Sequence, residues 1–271
     1  MIILKIGGSI LTKKDSVEPE VDYDNLNRIA REIGESLKPE NITEDLHDGL
    51  ILIHGAGSFG HPPAEKYKIN DPITDEDYPY KKLGFAEIQN QVKKLNSIIC
   101  DVLIEHNVPV VSIPPSAFVT TNDKRVYNFN LKLIKKYLNE GYVPVLYGDI
   151  VLDEKLKMAI ISGDQVLQYI SKFLNSDSIV LGTDVDGVYT KNPKKHDDAE
   201  LINVLNSLEQ IKFLESTDNI DVTGGMVGKV KELLSLTDFG IESVIINANT
   251  PGIISDVLQS KDFKGTIIRK D

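Results

Sequence analysis

Short apolar runs alternate along this chain with longer stretches in which hydrophobic residues recur every three or four positions. The runs "IILKI" (2–6), "GLILI" (49–53), "VPVVSI" (108–113), "YVPVLYG" (142–148), "SIVLGT" (178–183) and "ESVIIN" (242–247) predict strands. Their near-continuous apolar character suits strands covered on both faces, as in a parallel sheet. Leu26, Ile29, Ala30, Ile33 and Leu37 fall on one helical face, as do Leu83, Ile88, Val92, Leu95, Ile99 and Val102. Further helices are predicted over 130–140, 164–174 and 226–236. Another, over 207–215, opens with "SLEQ", an S-x-x-Q capping box. "IVLDEKLKMAII" (150–161) reads as a hairpin turning near Asp153–Lys155, while 62–81 and 191–199 read as irregular excursions. Strand–helix alternation implies an open α/β sheet layered with helices, whose ligands bind beyond the carboxyl ends of the strands.

Composition narrows the classes. The chain has 271 residues, enough for one large α/β domain or two small ones, with 41% hydrophobic and 26% charged residues. A net charge of −11 argues against nucleic acid as a partner, because backbone phosphates need a basic face. No apolar run reaches the ~18 residues of a membrane span, and "MIILKIGGS" enters a strand pattern at once, with neither the basic n-region nor the cleavage site expected of a signal peptide. The one cysteine, Cys100, lies in an apolar-periodic segment and reads as a small buried hydrophobe in a reducing, cytoplasmic setting.

Five small-residue clusters follow strands or open helices. In "LKIGGSILTKK" (4–14), paired glycines let the backbone approach an anion, and Lys5 sits inside a strand, where an unpaired charge is costly. "HGAGSFGH" (54–61) contains G-x-G-x-x-G. "HPP" follows where a dinucleotide fold needs a helix, however, and the acids about 20 residues on lie outside any strand pattern. A protein-kinase reading fails as well: "DFG" (238–240) has no H-R-D companion, and Gly240 reads as a helix C-cap. "TGGMVGKV" (223–230) is one residue short of a Walker loop. In "ISGDQ" (161–165) Asp164 reads as an N-cap or as a functional carboxylate, and "TDVDGVYTKNP" (183–193) as a turn or an acidic ligand loop. In "DVTGGMVGKVKE" (221–232) glycines precede a helix whose first turn is expected to carry Lys229, an anion-binding arrangement.

Taken in order, "LKIGGS", "HGAGSFGH", "VSIPPSAF", "VPVLYGDIV", "ISGDQ", "TDVDGVY", "DVTGGM" and "GTIIR" resemble the amino acid kinase superfamily. The "HGAGSFGH" stretch resembles its isopentenyl phosphate and fosfomycin kinase branch. The resemblance implies a single three-layer α/β/α sandwich with a mainly parallel open sheet. Its acceptor lobe would span about 1–165 and its nucleotide lobe about 166–271. It implies transfer of the γ-phosphoryl group of ATP, with Mg²⁺, to isopentenyl phosphate. The alternatives are a fosfomycin-type or other small phosphate or phosphonate acceptor, and a non-catalytic nucleotide sensor. Lys5, Lys14, His61, Asp164 and Lys229 would be catalytic, with Asp164 orienting lysines. ATP would meet Lys5, Gly7, Gly8, Ser9, Gly57, Asp184, Gly224 and Lys229. The acceptor would meet Gly55, Ala56, Gly60, His61 and Gly163, with Phe85 and Ile88 near the end of its tail. His54 would support the loop. No protein metal ligand is implied, and a homodimer is. Ala56 stands where the branch commonly has glycine, which requires a negative φ there.

Overall fold

The computed structural model describes residues 1–13, 18–174, 176–191, 193, 196–207, 209–210 and 224–270. Its main sheet contains β1 (Ile2–Ile6), β2 (Leu50–His54), β3 (Val110–Ser112), β6 (Val143–Tyr147), β9 (Ser178–Thr183), β10 (Val204–Leu205), β11 (Glu242–Asn247) and β12 (Gly265–Ile268). The spatial order is β10-β12-β11-β9-β1-β2-β6-β3, parallel throughout except for β11 against β12. A second sheet, β5-β4-β7-β8, joins β4 (Val119–Asn122) and β5 (Arg125–Phe129) to the hairpin β7 (Asp149–Asp153) and β8 (Lys157–Ile161), as 150–161 predicts.

Among the described residues the α-helices are α1 (Gly8–Leu11), α2 (Tyr23–Ser36), α3 (Glu44–His47), α4 (Gly57–Lys66), α5 (Tyr78–Glu105), α6 (Lys132–Asn139), α7 (Gly163–Leu174), α8 (Gly224–Thr237) and α9 (Ile253–Leu258). Alternation along β1 sorts them into two layers. Ile2, Leu4 and Ile6 pack with α2, α5 and α9, whereas Ile3 packs with α6, α7 and α8. The result is the three-layer sandwich. β1 lies between β9 and β2, so the chain turns in opposite directions from it. That is where open α/β sheets open a ligand crevice.

The short elements β4, β5, β10, β12, α1, α3 and α9 lie outside the sequence expectation, and two longer helices depart from it. Residues 57–66 form α4 in spite of Pro62 and Pro63. Both prolines fall just past the first turn, and the φ that proline enforces is helical, so two N–H donors are lost without a break. α5 also begins at Tyr78, earlier than apolar spacing suggests, with Pro79 in its first turn. The helix expected over 207–215 lies largely outside the described residues. Its capping box is nevertheless visible: Gln210 N donates to Ser207 Oγ (3.4 Å) and Ser207 N to Gln210 Oε1 (3.3 Å). Gly240 (φ +75°) ends the turn after α8, as expected of a C-cap glycine.

The two hairpins of the small sheet are fastened at one carboxylate. Asp153 accepts from the amides of Lys124 (2.9 Å), Leu156 (2.7 Å) and Lys155 (2.9 Å) and from Thr121 Oγ1 (2.8 Å). Burial works against its charge, but these donors win and hold its pKa down at about 2.

Candidate active site

The two glycine-rich loops interlock above β1 and β2. Gly7 N donates to Gly182 O (2.9 Å) and Gly55 N to Ile6 O (3.0 Å), which ties both loops to strand ends. A Cβ on Gly8 would collide with the backbone of Gly57, and one on Gly55 would stand 2.5 Å from Gly8 N. Gly57 has φ +50°, and a side chain there would strike Thr12. Thr12 fastens the junction, donating from Oγ1 to Gly8 O (2.9 Å) and accepting from Ser58 N (3.0 Å). Ala56 has φ −77°, so its Cβ is accommodated as the sequence requires. The result is a glycine-rich shelf on which the two loops meet backbone to backbone at the strand ends. Ser9 is exposed on α1 beside it.

Lys5 is buried, and the strand's two-residue period turns it toward α7. Its Nζ meets Asp164 Oδ1 at 2.8 Å. Asp164 is not the N-cap of α7. Ser162 is: Gln165 N donates to Ser162 Oγ (3.1 Å) and Ser162 N to Gln165 Oε1 (2.9 Å), a second S-x-x-Q capping box. Asp164 is thereby released to hold the lysine. Gly163 completes the contact, because a Cβ there would press on Lys5 Cε at 3.2 Å and His54 O at 3.3 Å.

The two histidines of "HGAGSFGH" part company. His54 is buried on the α5 side of β2. Its Nδ1 donates to Gly55 O (3.0 Å), and its Nε2 accepts from Asn96 Nδ2 (3.1 Å). Its ring stacks on Tyr147 at 5.1 Å. His54 therefore scaffolds the loop, as the sequence suggests. Burial lowers its pKa to about 4. An unfolded histidine titrates near 6.5, so His54 contributes stability above that pH that is lost as pH falls through 4. The gap is worth about 3 kcal/mol. Between pH 7 and 4.5, wild type should lose about 2–3 kcal/mol more unfolding free energy than His54→Gln in urea titrations. Equal losses would contradict a buried neutral imidazole. His61, in contrast, is exposed on α4, five residues into the helix that rises from the shelf.

Lys229 lines a crevice with Asp164, Gln168, Leu181 and Glu232, so α7 and α8 bring it to the Lys5–Asp164 pair. α8 starts at Gly224, however, which puts Lys229 in the second turn and not the first. Glu232, one turn further on, also lines the crevice and is not among the site residues expected from the sequence. Burial, and then the Asp164 charge, push its pKa up, and Arg125, Lys5 and Lys229 oppose this. Its three-residue spacing from Lys229 was the available signal. Lys14 lies outside the described residues. Asp184 is exposed just past β9. The other acid of "TDVDG", Asp186, is structural: it accepts from Asn247 Nδ2 (3.0 Å) and Tyr189 OH (2.8 Å) and pairs with Lys264 (2.6 Å).

On the other side of α4 lies an apolar cluster. Ile88 is buried with Ala64, Tyr67, Ile69, Ile150 and Met158, and Phe85 packs against them. Gly84 lets α5 lie against the Tyr67 ring. Asp149, also missed in the sequence, is buried beneath. It accepts from Ser116 N (3.0 Å), and Gln89 of α5 donates to Ser116 Oγ (3.0 Å). Burial pushes the Asp149 pKa up.

Residues 1–247 match the description "Amino acid kinase family". The chain belongs to the amino acid kinase family. Within this kinase family it is 51% identical to the isopentenyl phosphate kinase of Methanothermobacter thermautotrophicus, over 99% of this chain and 98% of that one. It is 42% identical to the isopentenyl phosphate kinase of Methanocaldococcus jannaschii, over 85% of each. An X-ray structure of an isopentenyl phosphate kinase superposes with a TM-score of 0.86 at 48% identity, covering 99% of both chains. The kinase fold and its mostly parallel open sheet are thus those of the family.

Proposed function

We infer that this kinase transfers the γ-phosphoryl group of ATP to isopentenyl phosphate, giving isopentenyl diphosphate and ADP. The observation that carries this is the joining of three parts at one strand-end shelf: the interlocked glycine loops, the buried Lys5–Asp164 pair, and the helix bearing His61. The acceptor is already a phosphate monoester and needs no general base near neutral pH. The barrier is repulsion between two anions, and catalysis is positioning and charge neutralisation. Lys5 and Lys229 neutralise the transferring group, and we assign Lys14 the same role. Asp164 fixes Lys5 and takes no proton. The amides of Gly7, Gly8, Ser9 and Gly57 face the nucleotide phosphates, with Asp184 and Gly224 on the nucleotide side. Gly55, Ala56, Gly60, His61 and Gly163 face the acceptor phosphate.

The described residues hold no cluster of three or more histidine, cysteine or acidic side chains fit for a metal. We assign Mg²⁺ to the nucleotide's phosphates and water, where it would offset their charge. An acceptor lobe of about residues 1–165 and a nucleotide lobe of about 166–271 belong to the same proposal, as does a cytoplasmic location. No described helix is long and apolar enough to cross a membrane. We also propose a homodimer. β3 is an outer strand of the main sheet, and Ile104 on α5, which packs on β3, is 56% exposed.

The apolar cluster beyond α4 favours a prenyl tail over a small polar acceptor such as fosfomycin. Truncating Phe85 or Ile88 to alanine should open the end of the tail site and raise kcat/KM for geranyl phosphate relative to isopentenyl phosphate by about tenfold, the scale of one to two methylene contacts. An unchanged chain-length profile in both variants would remove the tail from this cluster.

A further inference from the structure

We propose that a groove on the outer face of α7 is a second ligand site, for a phosphate-headed hydrocarbon of prenyl diphosphate type. The groove encloses about 470 Å³, within the usual range for small-molecule sites, and runs between β5, α7 and α8. Its floor is aromatic. Tyr169 stacks on Phe129 (5.1 Å between centroids) and meets Phe173 at 4.5 Å. Phe173 and Phe239 are 53% and 54% exposed, a large apolar area left facing water. Lys172 stands over the Phe239 ring at 4.5 Å and reaches Phe173 at 6.0 Å.

Charge selects the head group. Arg125 lies at the Gln165 end of the groove and Lys172 seven residues further along α7, about 10 Å by helical rise. Neither is ion-paired among the described residues, although other surface lysines find carboxylates, as in Lys66–Glu87, Lys155–Asp123 and Lys270–Asp238. No acidic residue is among the described residues lining the groove. Gln165 Nε2 donates to Lys124 O (2.8 Å) and holds the β4–β5 turn, with Arg125, against α7. Arg125, whose charge also acts on Glu232 of α8, and Lys172, which has no ion-pair partner among the described residues, flank an exposed apolar floor and complement an anion with a greasy body. A nucleotide fits less well, because its ribose hydroxyls look for carboxylate acceptors that this lining lacks.

The groove also touches the chemistry. Gln168 and Leu236 line both it and the crevice of Asp164 and Lys229. A ligand there would press on the wall of the transfer site from outside and would not compete with the acceptor. The assignment is separate from the transfer reaction, since its readout is binding. Calorimetric titration of the full chain with farnesyl diphosphate tests it, with and without saturating isopentenyl phosphate. Binding should persist in the presence of isopentenyl phosphate and weaken at least tenfold in both Lys172→Glu and Phe239→Ala, while kcat stays at the wild-type value. The proposal is overturned by absence of binding, by displacement with isopentenyl phosphate, or by unchanged affinity in both variants. Equal competition by ADP or inorganic diphosphate would overturn it too, since the groove would then read only the anion.

Discussion

Lys229→Ala is expected to lower kcat by about two to three orders of magnitude, the scale of losing one preorganised charge-stabilising group. The acceptor KM should move only a few-fold. The crevice explains the split. Lys229 shares it with Asp164, whose partner Lys5 is already buried and fixed, so the less buried Lys229 is placed to follow the moving phosphoryl group. An interaction strengthened only in the transition state lowers kcat and kcat/KM together when removed. Steady-state kinetics against both substrates would check this. An unchanged kcat would make Lys229 an ordinary helix lysine.

His61→Ala should cut kcat/KM for isopentenyl phosphate by about one to two decades while ATP affinity stays nearly intact. A hydrogen bond to a charged group contributes roughly 1.5–3 kcal/mol, which converts to that range. The expectation rests on placement. His61 is exposed on α4, whose first residues interlock with the Gly7–Gly8 shelf, whereas His54 is consumed by Gly55 and Asn96. His61→Gln keeps a neutral donor and no charge, so its degree of rescue separates hydrogen bonding from electrostatics. Wild-type kinetics in His61→Ala would reduce the residue to scaffolding and take away the reason for choosing a phosphate acceptor.

The sheet was legible because its signal is simple. Buried parallel strands are apolar runs, and "ESVIIN" is β11 residue for residue. Helix starts were harder, because glycine and proline count against helix by propensity, yet both occur inside helices here. α4 absorbs Pro62 and Pro63 just past its first turn, and α8 begins on Gly224, so its lysine sits a turn deeper than expected. Ser162 carries a local signal of its own. The S-x-x-Q spacing that marks Ser207–Gln210 also marks Ser162–Gln165, and reading it would have released Asp164 from capping at once. Asp149 has no local signal, and Glu232 only its three-residue spacing from Lys229, because their importance comes from what folding packs against them. In "TDVDG", only the fold separates Asp186, tied to Tyr189, Asn247 and Lys264, from the exposed Asp184.

Phosphorus NMR of the purified protein with Mg²⁺, ATP and isopentenyl phosphate, run beside an identical sample containing fosfomycin, tests the central claim directly. The account predicts the paired resonances of isopentenyl diphosphate growing as ADP appears, with little or no phosphorylated fosfomycin. Robust phosphorylation of fosfomycin with isopentenyl phosphate left unchanged would contradict it.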